Sequence, residues 1–299
     1  MKTWIRRGAW ILGSLVVVAA AVVVVGQQLG EKKRMRQISL DVKPVAYTND
    51  AQALERGRYL FASRGCVDCH GANGGGRDFV NTGDTHIAGP NITSGGNIVG
   101  KYQPVDWVRT IRHGVKPDGR PVMIMPSEDY NRFTDDDLAG LVAYVRSLPA
   151  QSGNNTAIVE LPLPAWVLYG FNAIPDAAQR IDHTLAPSKP VAAAVNVEHG
   201  AYVGNMCIGC HGEKLSGGKI PGGPPDWPAA ANLTPGEGGV MGRYPDEAKF
   251  IAMLRGGKRP DGSAIKVMPF ESLSKLSDVD AQALYAFLKT VPARPAGQR

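Results

Sequence analysis

The pentapeptides "CVDCH" at residues 66–70 and "CIGCH" at residues 207–211 decide how this chain folds, because they contain all four of its cysteines. In each pentapeptide, two residues separate the cysteines and a histidine follows directly. The chain has 299 residues and is 43% hydrophobic, so it is long enough to form a sizeable core. A disulfide framework, which is typical of short secreted chains with little core, is therefore disfavoured.

Two other uses of paired cysteines fit these pentapeptides less well than haem attachment. A zinc site would join four thiolates from two distant segments and leave both histidines without a role. A thioredoxin-like redox pair would need alternating strands and helices, which the sequence does not show. In a haem site the two thiols form thioethers with the vinyl groups, and the adjacent histidine binds the iron. We therefore predict two covalently attached haem c groups, held by Cys66, Cys69, Cys207 and Cys210.

The formal net charge of +6 arises entirely at the N-terminus. Residues 1–36 contain seven basic residues and one acidic residue, Glu31. Residues 37–299 contain 26 basic and 26 acidic residues, so they carry no net charge. A basic, aromatic-rich surface is not indicated, and we exclude nucleic acid as a partner.

Residues 8–26, "GAWILGSLVVVAAAVVVVG", form an uncharged apolar segment. A helix of this length, at about 1.5 Å per residue, can just cross a hydrocarbon core of roughly 30 Å. The alternative is a cleaved signal peptide, but the apolar run is longer than a usual signal core and no clear small-x-small cleavage site precedes the polar segment. We therefore predict that residues 1–36 are an uncleaved, single-pass anchor with basic flanks.

The orientation of this anchor follows from the haem sites rather than from its charges. Basic residues flank the apolar segment on both sides, so the positive-inside rule is nearly undecided. Known c-type cytochromes acquire their covalent haem outside the cytoplasm. We therefore predict a protein of the bacterial inner membrane with its haem domains on the periplasmic side.

The sequence around each pentapeptide is repeated. "NIT" at 91–93 matches "NLT" at 232–234 with the same offset of 141 residues that separates the pentapeptides. "RHGVKPDGRP", which begins at Arg112, matches "RGGKRPDGSA", which begins at Arg255, with an offset of 143. A two-residue insertion reconciles the offsets. We therefore predict a duplicated domain.

The helical signals are the same in both blocks. "TDDDLAGLVAYVRSLP" begins with Thr134 as a predicted N-cap, and its apolar residues recur at i, i+3, i+4 and i+7. The second block repeats this pattern after Ser277. "PVDWVRTIRHG" begins with proline and ends with glycine, as a short helix does, and Asp50 can cap a helix that leads to the first pentapeptide. No convincing alternating strand is visible, so we predict an all-α fold.

Residues 150–194 lie between the blocks and are not repeated. They include "LPLPAWVLYGFNAI", an apolar segment that prolines interrupt. It can pack internally across the two domains or form part of a docking face. We expect internal packing.

The two blocks resemble class I cytochrome c domains. They are more similar still to the multi-haem cytochrome c subunits of membrane-bound bacterial dehydrogenases. The resemblance rests on "ERGRYL", "GPNIT", "RHGVKPDGRP", "MP" and "TDDDLAGLVAYVRSLP", and covers most of residues 50–149 and 195–293. It implies two tandem cytochrome c domains, at 37–149 and 195–299, joined by the linker 150–194. Those subunits often carry three haem domains and this chain carries two, which leaves the particular partner enzyme open.

Each iron needs two axial ligands. The histidine of each pentapeptide is the proximal ligand by position. "MIMP" offers Met123 and Met125 for the far side, and the repeat aligns Met125 with Met268 but Met123 with Lys266, which cannot ligate. In the related family the ligand also lies in such an "MP" segment. The predicted metal ligands are therefore His70, Met125, His211 and Met268.

Other polar residues around the predicted sites have alternative roles. The resemblance implies that the Pro90 carbonyl accepts a hydrogen bond from the proximal histidine, and the aligned Ala231 offers the same backbone carbonyl. Arg112 and Arg255 could meet haem propionates or be solvated helix ends. The histidines without a counterpart in the other block are predicted to be solvated or structural: His86, His113, His183 and His199.

Histidine–methionine ligation saturates the iron, so no catalytic residue is predicted. The resemblance implies an electron-transfer protein that receives electrons from a dehydrogenase subunit. It passes them toward an oxidase or a quinone-linked complex of the respiratory chain. The alternative is a di-haem enzyme, such as a peroxidase or a thiosulfate-oxidising cytochrome, which would need an open or unusually ligated iron.

Overall fold

The computed structural model describes residues 2–299, and these are mostly helical. Met1, the first residue of the predicted anchor, lies outside the described residues. The helices in chain order are α1 (Lys2–Arg34), α2 (Ala51–Ser63), α3 (Cys66–His70), α4 (Pro104–His113), α5 (Ser127–Tyr130), α6 (Asp135–Ser147), α7 (Leu163–Gly170), α8 (Ala177–Arg180), α9 (Val197–Gly204), α10 (Ile208–His211), α11 (Glu247–Gly256), α12 (Phe270–Leu273) and α13 (Asp278–Leu288). Short 3₁₀ turns lie at Val99–Lys101, Asn205–Cys207 and Met241–Arg243.

Helix α1 contains the predicted membrane segment. It is apolar and exposed over most of its length, with a mean hydropathy of 2.6 in its most apolar window of 18 residues. Among the described residues it is the helix that is long and apolar enough to cross a membrane. Its apolar side chains have no protein partner over the first 20 residues, as expected of a segment that lies in lipid.

A close helix crossing occurs in each block, α2 against α6 and α9 against α13. A Cβ atom added to Gly57 would lie 1.9 Å from the carbonyl oxygen of Gly140. One added to Gly200 would lie 1.9 Å from the carbonyl oxygen of Ala283. Only glycine permits this backbone approach, so the same residue type recurs at equivalent positions.

The predicted helix starts are confirmed by their caps. The Thr134 side chain accepts a hydrogen bond from the Asp137 amide at 3.0 Å. The Ser277 side chain accepts one from the Asp280 amide at 3.1 Å. Each cap pairs one of the amides that a helix leaves free at its N-terminus.

A small antiparallel sheet corrects the expectation of an all-α fold. Strands β1 (Asp78–Thr82) and β2 (Thr85–Ala88) form a hairpin, and β3 (Ile158–Glu160) pairs with β2. The strands are only three to five residues long, and β3 comes from the linker, about 70 residues further along the chain. Their pairing therefore has little local sequence signal.

The linker packs internally, as expected, but largely against α1. Helix α7 lies on the last turns of α1, where Arg36 forms a two-pronged ion pair with the buried Asp176 at 2.6 Å. Arg180 bridges the blocks, because its guanidinium binds Glu128 of the first and donates to the Gly209 carbonyl of the second at 3.0 Å. The linker therefore connects α1 to both blocks.

Candidate haem sites

Each pentapeptide forms a short helical turn that is followed by a glycine. Helix α3 spans Cys66–His70, and residues 205–211 form a 3₁₀ turn followed by α10. Gly65 and Gly71 flank α3 with φ values of 87° and 71°, a region that favours glycine. The two cysteines of α3 stand three residues apart and share one face of the turn. Within the described residues none of the four cysteines forms a disulfide.

The histidine of each turn donates a hydrogen bond to a backbone carbonyl. The distance from His70 Nδ1 to the Pro90 oxygen is 2.9 Å, and that from His211 Nδ1 to the Ala231 oxygen is 2.7 Å. A carbonyl only accepts, so Nδ1 carries the proton and Nε2 remains a free ligand. Burial lowers the pKa of both imidazoles, which favours the neutral, ligating form. The expected hydrogen bond at Ala231 is thus confirmed.

The repeated "NIT" and "NLT" segments hold these carbonyls in place. Asn91 Oδ1 accepts from the amide and the hydroxyl of Thr93 at 2.9 and 2.7 Å, and its Nδ2 donates to the Gln151 carbonyl at 2.7 Å. Asn232 makes the same bonds, to Thr234 at 2.9 and 2.8 Å and to the Arg294 carbonyl at 2.8 Å. The repeat was visible in the sequence, but its structural role was not.

The thiols of both pentapeptides show no sign of the stabilised thiolates that redox-active cysteines use. Burial raises the pKa of Cys66 and Cys207 to about 12 and that of Cys69 and Cys210 to about 11. Zinc binding and thiol redox chemistry need stabilised thiolates. Within residues 2–299, histidine, cysteine, aspartate and glutamate form no cluster of three or more that could hold a metal ion. The zinc alternative has no support in this arrangement.

The two predicted axial methionines occupy equivalent turns. The Ser127 amide donates to the Met125 carbonyl, and the Phe270 amide donates to the Met268 carbonyl, each at 2.9 Å. Met125 and Cys66 pack against the hydrophobic core of the first block. Met268 and Cys207 pack against that of the second. Thioether and thiol thus meet the same core in each block, as two sides of one haem pocket would.

A buried donor without a partner tests whether haem fits the first block. The Trp107 side chain is buried in the same core as Met125 and Cys66, and its Nε1 has no hydrogen-bond partner within the described part of the chain. An unpaired buried N–H is costly, and a haem propionate could accept its hydrogen bond. The equivalent position of the second block is Phe250, which needs no partner. The residues present fit a bound haem c.

The two blocks contact each other through a reciprocal pair of tyrosines. The Tyr59 hydroxyl donates to Asp280 Oδ2 at 2.6 Å, and the Tyr202 hydroxyl donates to Asp137 Oδ2 at 2.6 Å. Tyr59 and Tyr202 are 143 residues apart, as are the two aspartates. The matching stretches "ERGRY" at 55–59 and "EHGAY" at 198–202 could have pointed to this pair.

Asp280 also forms a buried ion pair with Arg64, at 2.5 Å. The two side chains are 3% and 2% exposed. Burial alone would raise the pKa of Asp280, but the Arg64 charge and hydrogen bonds from Arg64, Tyr59 and His199 lower it to about 2. The carboxylate is therefore charged at neutral pH and joins the blocks electrostatically.

The same reciprocity brings the two pentapeptide turns close to the opposite block. The Ser272 hydroxyl donates to Asp68 Oδ2 of α3 at 2.7 Å. The Gly209 amide of α10 donates to Asp129 Oδ1 at 2.6 Å. Ser272 and Asp129 each lie four residues after a predicted axial methionine. The segment that follows the methionine of one block therefore contacts the pentapeptide of the other.

The remaining polar residues considered above have structural partners. Arg112 donates to the Phe133 carbonyl at 2.7 Å and pairs with Asp135 at 2.8 Å, and Arg255 binds the Ser274 carbonyl and Asp278 in the same way. The four histidines without counterparts are also engaged: His199 with Asp280, His113 with His183, and His86 with Asp78. The structural interpretation of these histidines is confirmed.

Paired thiols beside a fixed imidazole, a methionine turn and a glycine-mediated helix crossing, all present twice, define two cytochrome c-type domains. The comparison with known families agrees. The chain belongs to the family described as cytochrome c oxidase, cbb3-type, subunit III, which matches residues 52–145 and 197–288.

Individual relatives are cytochrome subunits of dehydrogenases. The fructose dehydrogenase cytochrome subunit of Gluconobacter japonicus is 26% identical over 284 residues, covering 84% of this chain and 55% of the relative. The alcohol dehydrogenase (quinone) cytochrome c subunit of Gluconobacter oxydans is 26% identical over 283 residues, covering 83% and 57%. The gluconate 2-dehydrogenase cytochrome c subunit of Pantoea cypripedii is 28% identical over 285 residues, covering 84% and 62%. The chain thus spans little more than half the length of these relatives.

Proposed function

We propose that this chain is a membrane-anchored di-haem cytochrome c that transfers electrons from a dehydrogenase toward the respiratory chain. The observation that carries the proposal is the pair of pentapeptide turns, each with its histidine Nδ1 bonded to a fixed carbonyl and its Nε2 free. In this proposal residues 37–149 and 195–299 are the two haem domains, and residues 150–194 join them.

The proposed roles of the site residues are the same in both domains. The cysteine pairs would form the thioethers to haem, and the histidines and methionines would supply the protein ligands of the irons. A bound haem c supplies one-electron oxidation and reduction at its iron. The first site consists of Cys66, Cys69, His70 and Met125, and the second of Cys207, Cys210, His211 and Met268.

The protein's own contribution is to hold these ligands still. Asn91 and Asn232 fix the carbonyls that orient the imidazoles, so each ring would be held in one orientation toward a bound haem. With a histidine and a methionine as ligands, neither iron would have a position open to a substrate. The chain is then an electron-transfer protein, and catalysis belongs to its partner.

The partners and location follow from the relatives and from α1. The relatives' names support a dehydrogenase subunit as electron donor and a quinone-linked complex as acceptor. The family description supports an oxidase as the other candidate acceptor. Helix α1 supports a single-pass anchor in the bacterial inner membrane. Covalent haem attachment supports a periplasmic position for both domains.

Mass spectrometry of the denatured, intact chain tests this proposal. The expected mass contains two haem additions, and Cys207→Ala should leave the first haem attached while it weakens attachment of the second. One haem or none on the parent chain overturns the proposal. Resting ferric haem should be low-spin at both sites in the absorption spectrum. A high-spin population at either site would indicate an open iron and favour a catalytic cytochrome.

A further inference from the structure

Helix α7 presents an apolar face to its surroundings that nothing in the fold covers. Residues 161–171, "LPLPAWVLYGF", contain no charged side chain. One face is buried and includes Tyr169 and Gly170. The other side includes Leu163 and Leu168, which are 45% and 47% exposed, and Phe171 directly after the helix, which contacts Gly26 of α1 but is still 46% exposed. A helix that is apolar all round is usually buried in a protein or in a membrane, and this one is only half buried in protein.

The covered face of α7 packs on the end of the membrane helix. A Cβ atom added to Gly26 of α1 would lie 2.8 Å from Val167 Cγ1, and one added to Gly170 would lie 2.1 Å from the Gly26 carbonyl oxygen. Gly26 and Gly30 are four residues apart, the small-residue spacing that lets helices in membranes approach closely. Gly26 is also the last residue of the apolar segment 8–26, directly before Gln27 and Gln28.

Polar contacts just beyond this crossing fix α7 to α1. The Lys33 ammonium group donates to the carbonyls of Tyr169 and Ile174 at 3.0 and 2.8 Å. Arg36 makes its ion pair with Asp176, which is buried. These contacts bracket the C-terminal end of α7, so the helix cannot leave the membrane helix without breaking them.

Helix α7 crosses α1 at the end of the apolar segment 8–26, where a bilayer spanned by α1 would end. Phe171 Cε2 lies 3.0 Å from the Cβ position of Gly26, whereas Trp166 contacts Gly30. The four residues between those glycines rise by about 6 Å. Interfacial helices bury their apolar face about 5–10 Å into the boundary between headgroups and acyl chains. Val25 and Leu29 of α1 are exposed at the same level, which extends the apolar surface from one helix to the other.

We propose that α7 is an interfacial helix. Its apolar face of Leu163, Leu168 and Phe171 inserts into the outer leaflet, through which α1 leaves the bilayer toward the haem domains. The occupant of this face is the phospholipid of the bilayer that α1 crosses, because the apolar surface of α7 is continuous with that of α1. This inference rests on the proposed function in that it takes α1 as the anchor. A second membrane contact fixes the tilt of the haem domains, since α7 belongs to the linker that binds both of them.

Photo-crosslinking of the full, haem-loaded chain in nanodiscs tests the inference without any substitution. The bilayer contains a phospholipid with a diazirine in its acyl chain, and lipid adducts are mapped by peptide mass spectrometry. We expect adducts on residues 161–171 as well as on α1, and none on α13, whose Val279 is also exposed. Adducts on α1 without adducts on α7 would overturn the inference and leave the anchor intact. Adducts on neither helix would overturn the anchor too.

Single cysteine variants give an independent measurement, because haem attachment consumes the native thiols. Leu168→Cys, Val16→Cys in α1 and Val279→Cys in α13 are treated in nanodiscs with a membrane-impermeant maleimide, after the haem content of each variant is checked. Leu168→Cys and Val16→Cys should react roughly tenfold or more slowly than Val279→Cys, because an apolar medium disfavours the thiolate. If Leu168→Cys reacts as fast as Val279→Cys while Val16→Cys stays protected, a lipid-facing α7 is refuted. In that case the face is open to water or awaits a protein partner.

Discussion

Replacing Asp280 by asparagine should destabilise the protein far more than the same change at Asp137. Both aspartates occupy the third position of their helix and accept a hydrogen bond from a tyrosine of the opposite block. Their arginine partners differ: the Arg64 side chain is 3% exposed, whereas that of Arg56, which pairs with Asp137 at 2.8 Å, is 33% exposed. In Asp280→Asn the buried Arg64 keeps its charge without a counter-ion, while in Asp137→Asn water can reach Arg56.

The size of the difference follows from these environments. Removal of one partner from a buried ion pair costs about 3–5 kcal/mol, because the remaining charge is left uncompensated. The more exposed pair should cost about 1–2 kcal/mol, most of it from the lost charged hydrogen bonds. The lowered pKa of Asp280, about 2, gives a separate figure. Against an unfolded value near 3.9 it corresponds to about 2–3 kcal/mol.

Chemical denaturation of the haem-loaded protein, followed by Soret absorption and far-ultraviolet circular dichroism, measures this difference. Because the folded pKa of Asp280 is depressed, its contribution to the free energy of unfolding is complete above about pH 4. It should be lost as the pH falls from about 4 toward 2. The parent protein should therefore lose more stability than Asp280→Asn over that interval. Equal destabilisation by the two substitutions, or parallel pH profiles for parent and variant, would refute the reasoning.

Two further predictions concern the crossings and the irons. Gly57→Ala and Gly200→Ala each place a Cβ atom 1.9 Å from a carbonyl oxygen. Each substitution should therefore lower the thermal midpoint of unfolding by several degrees or prevent haem incorporation. Gly242→Ala, which has open space around its Cβ position, is the control. Unchanged midpoints for the crossing variants would contradict the helix contact. Met125→His and Met268→His should each lower the reduction potential of one haem only, measured by redox titration, because imidazole stabilises the ferric state relative to thioether. A variant that shifts neither wave would show that its methionine is not a ligand.

Much of each block could be predicted because its signals are local or repeated. The cysteines and histidine of a pentapeptide lie within one turn. Thr134 and Ser277 each cap a helix by accepting from the amide three residues further on. The repeat selects Met125 over Met123 as the candidate ligand. The contacts between distant segments were not predicted. Tyr59 and Asp280 are 221 residues apart, and strand β3 joins a hairpin far upstream. Such pairings depend on how finished domains fit together, and a single sequence carries no period or cap that marks them.

The reciprocal contacts between the blocks have the form of an isologous interface, in which residue i meets residue j and j meets i. Two identical chains related by a two-fold axis would make the same exchange of tyrosine and aspartate. Within one polypeptide the two halves are free to diverge. Arg56 of the first half corresponds to His199 of the second. Arg64 lies in a stretch before the pentapeptide that is two residues longer in the first half than in the second. Fusion thus lets an arrangement built like a homodimer hold two unequal halves in a fixed one-to-one ratio. The first half expressed alone would expose Tyr59 and Asp137, and the second would expose Tyr202 and Asp280. Either half would then present a surface at which a second copy of itself could bind.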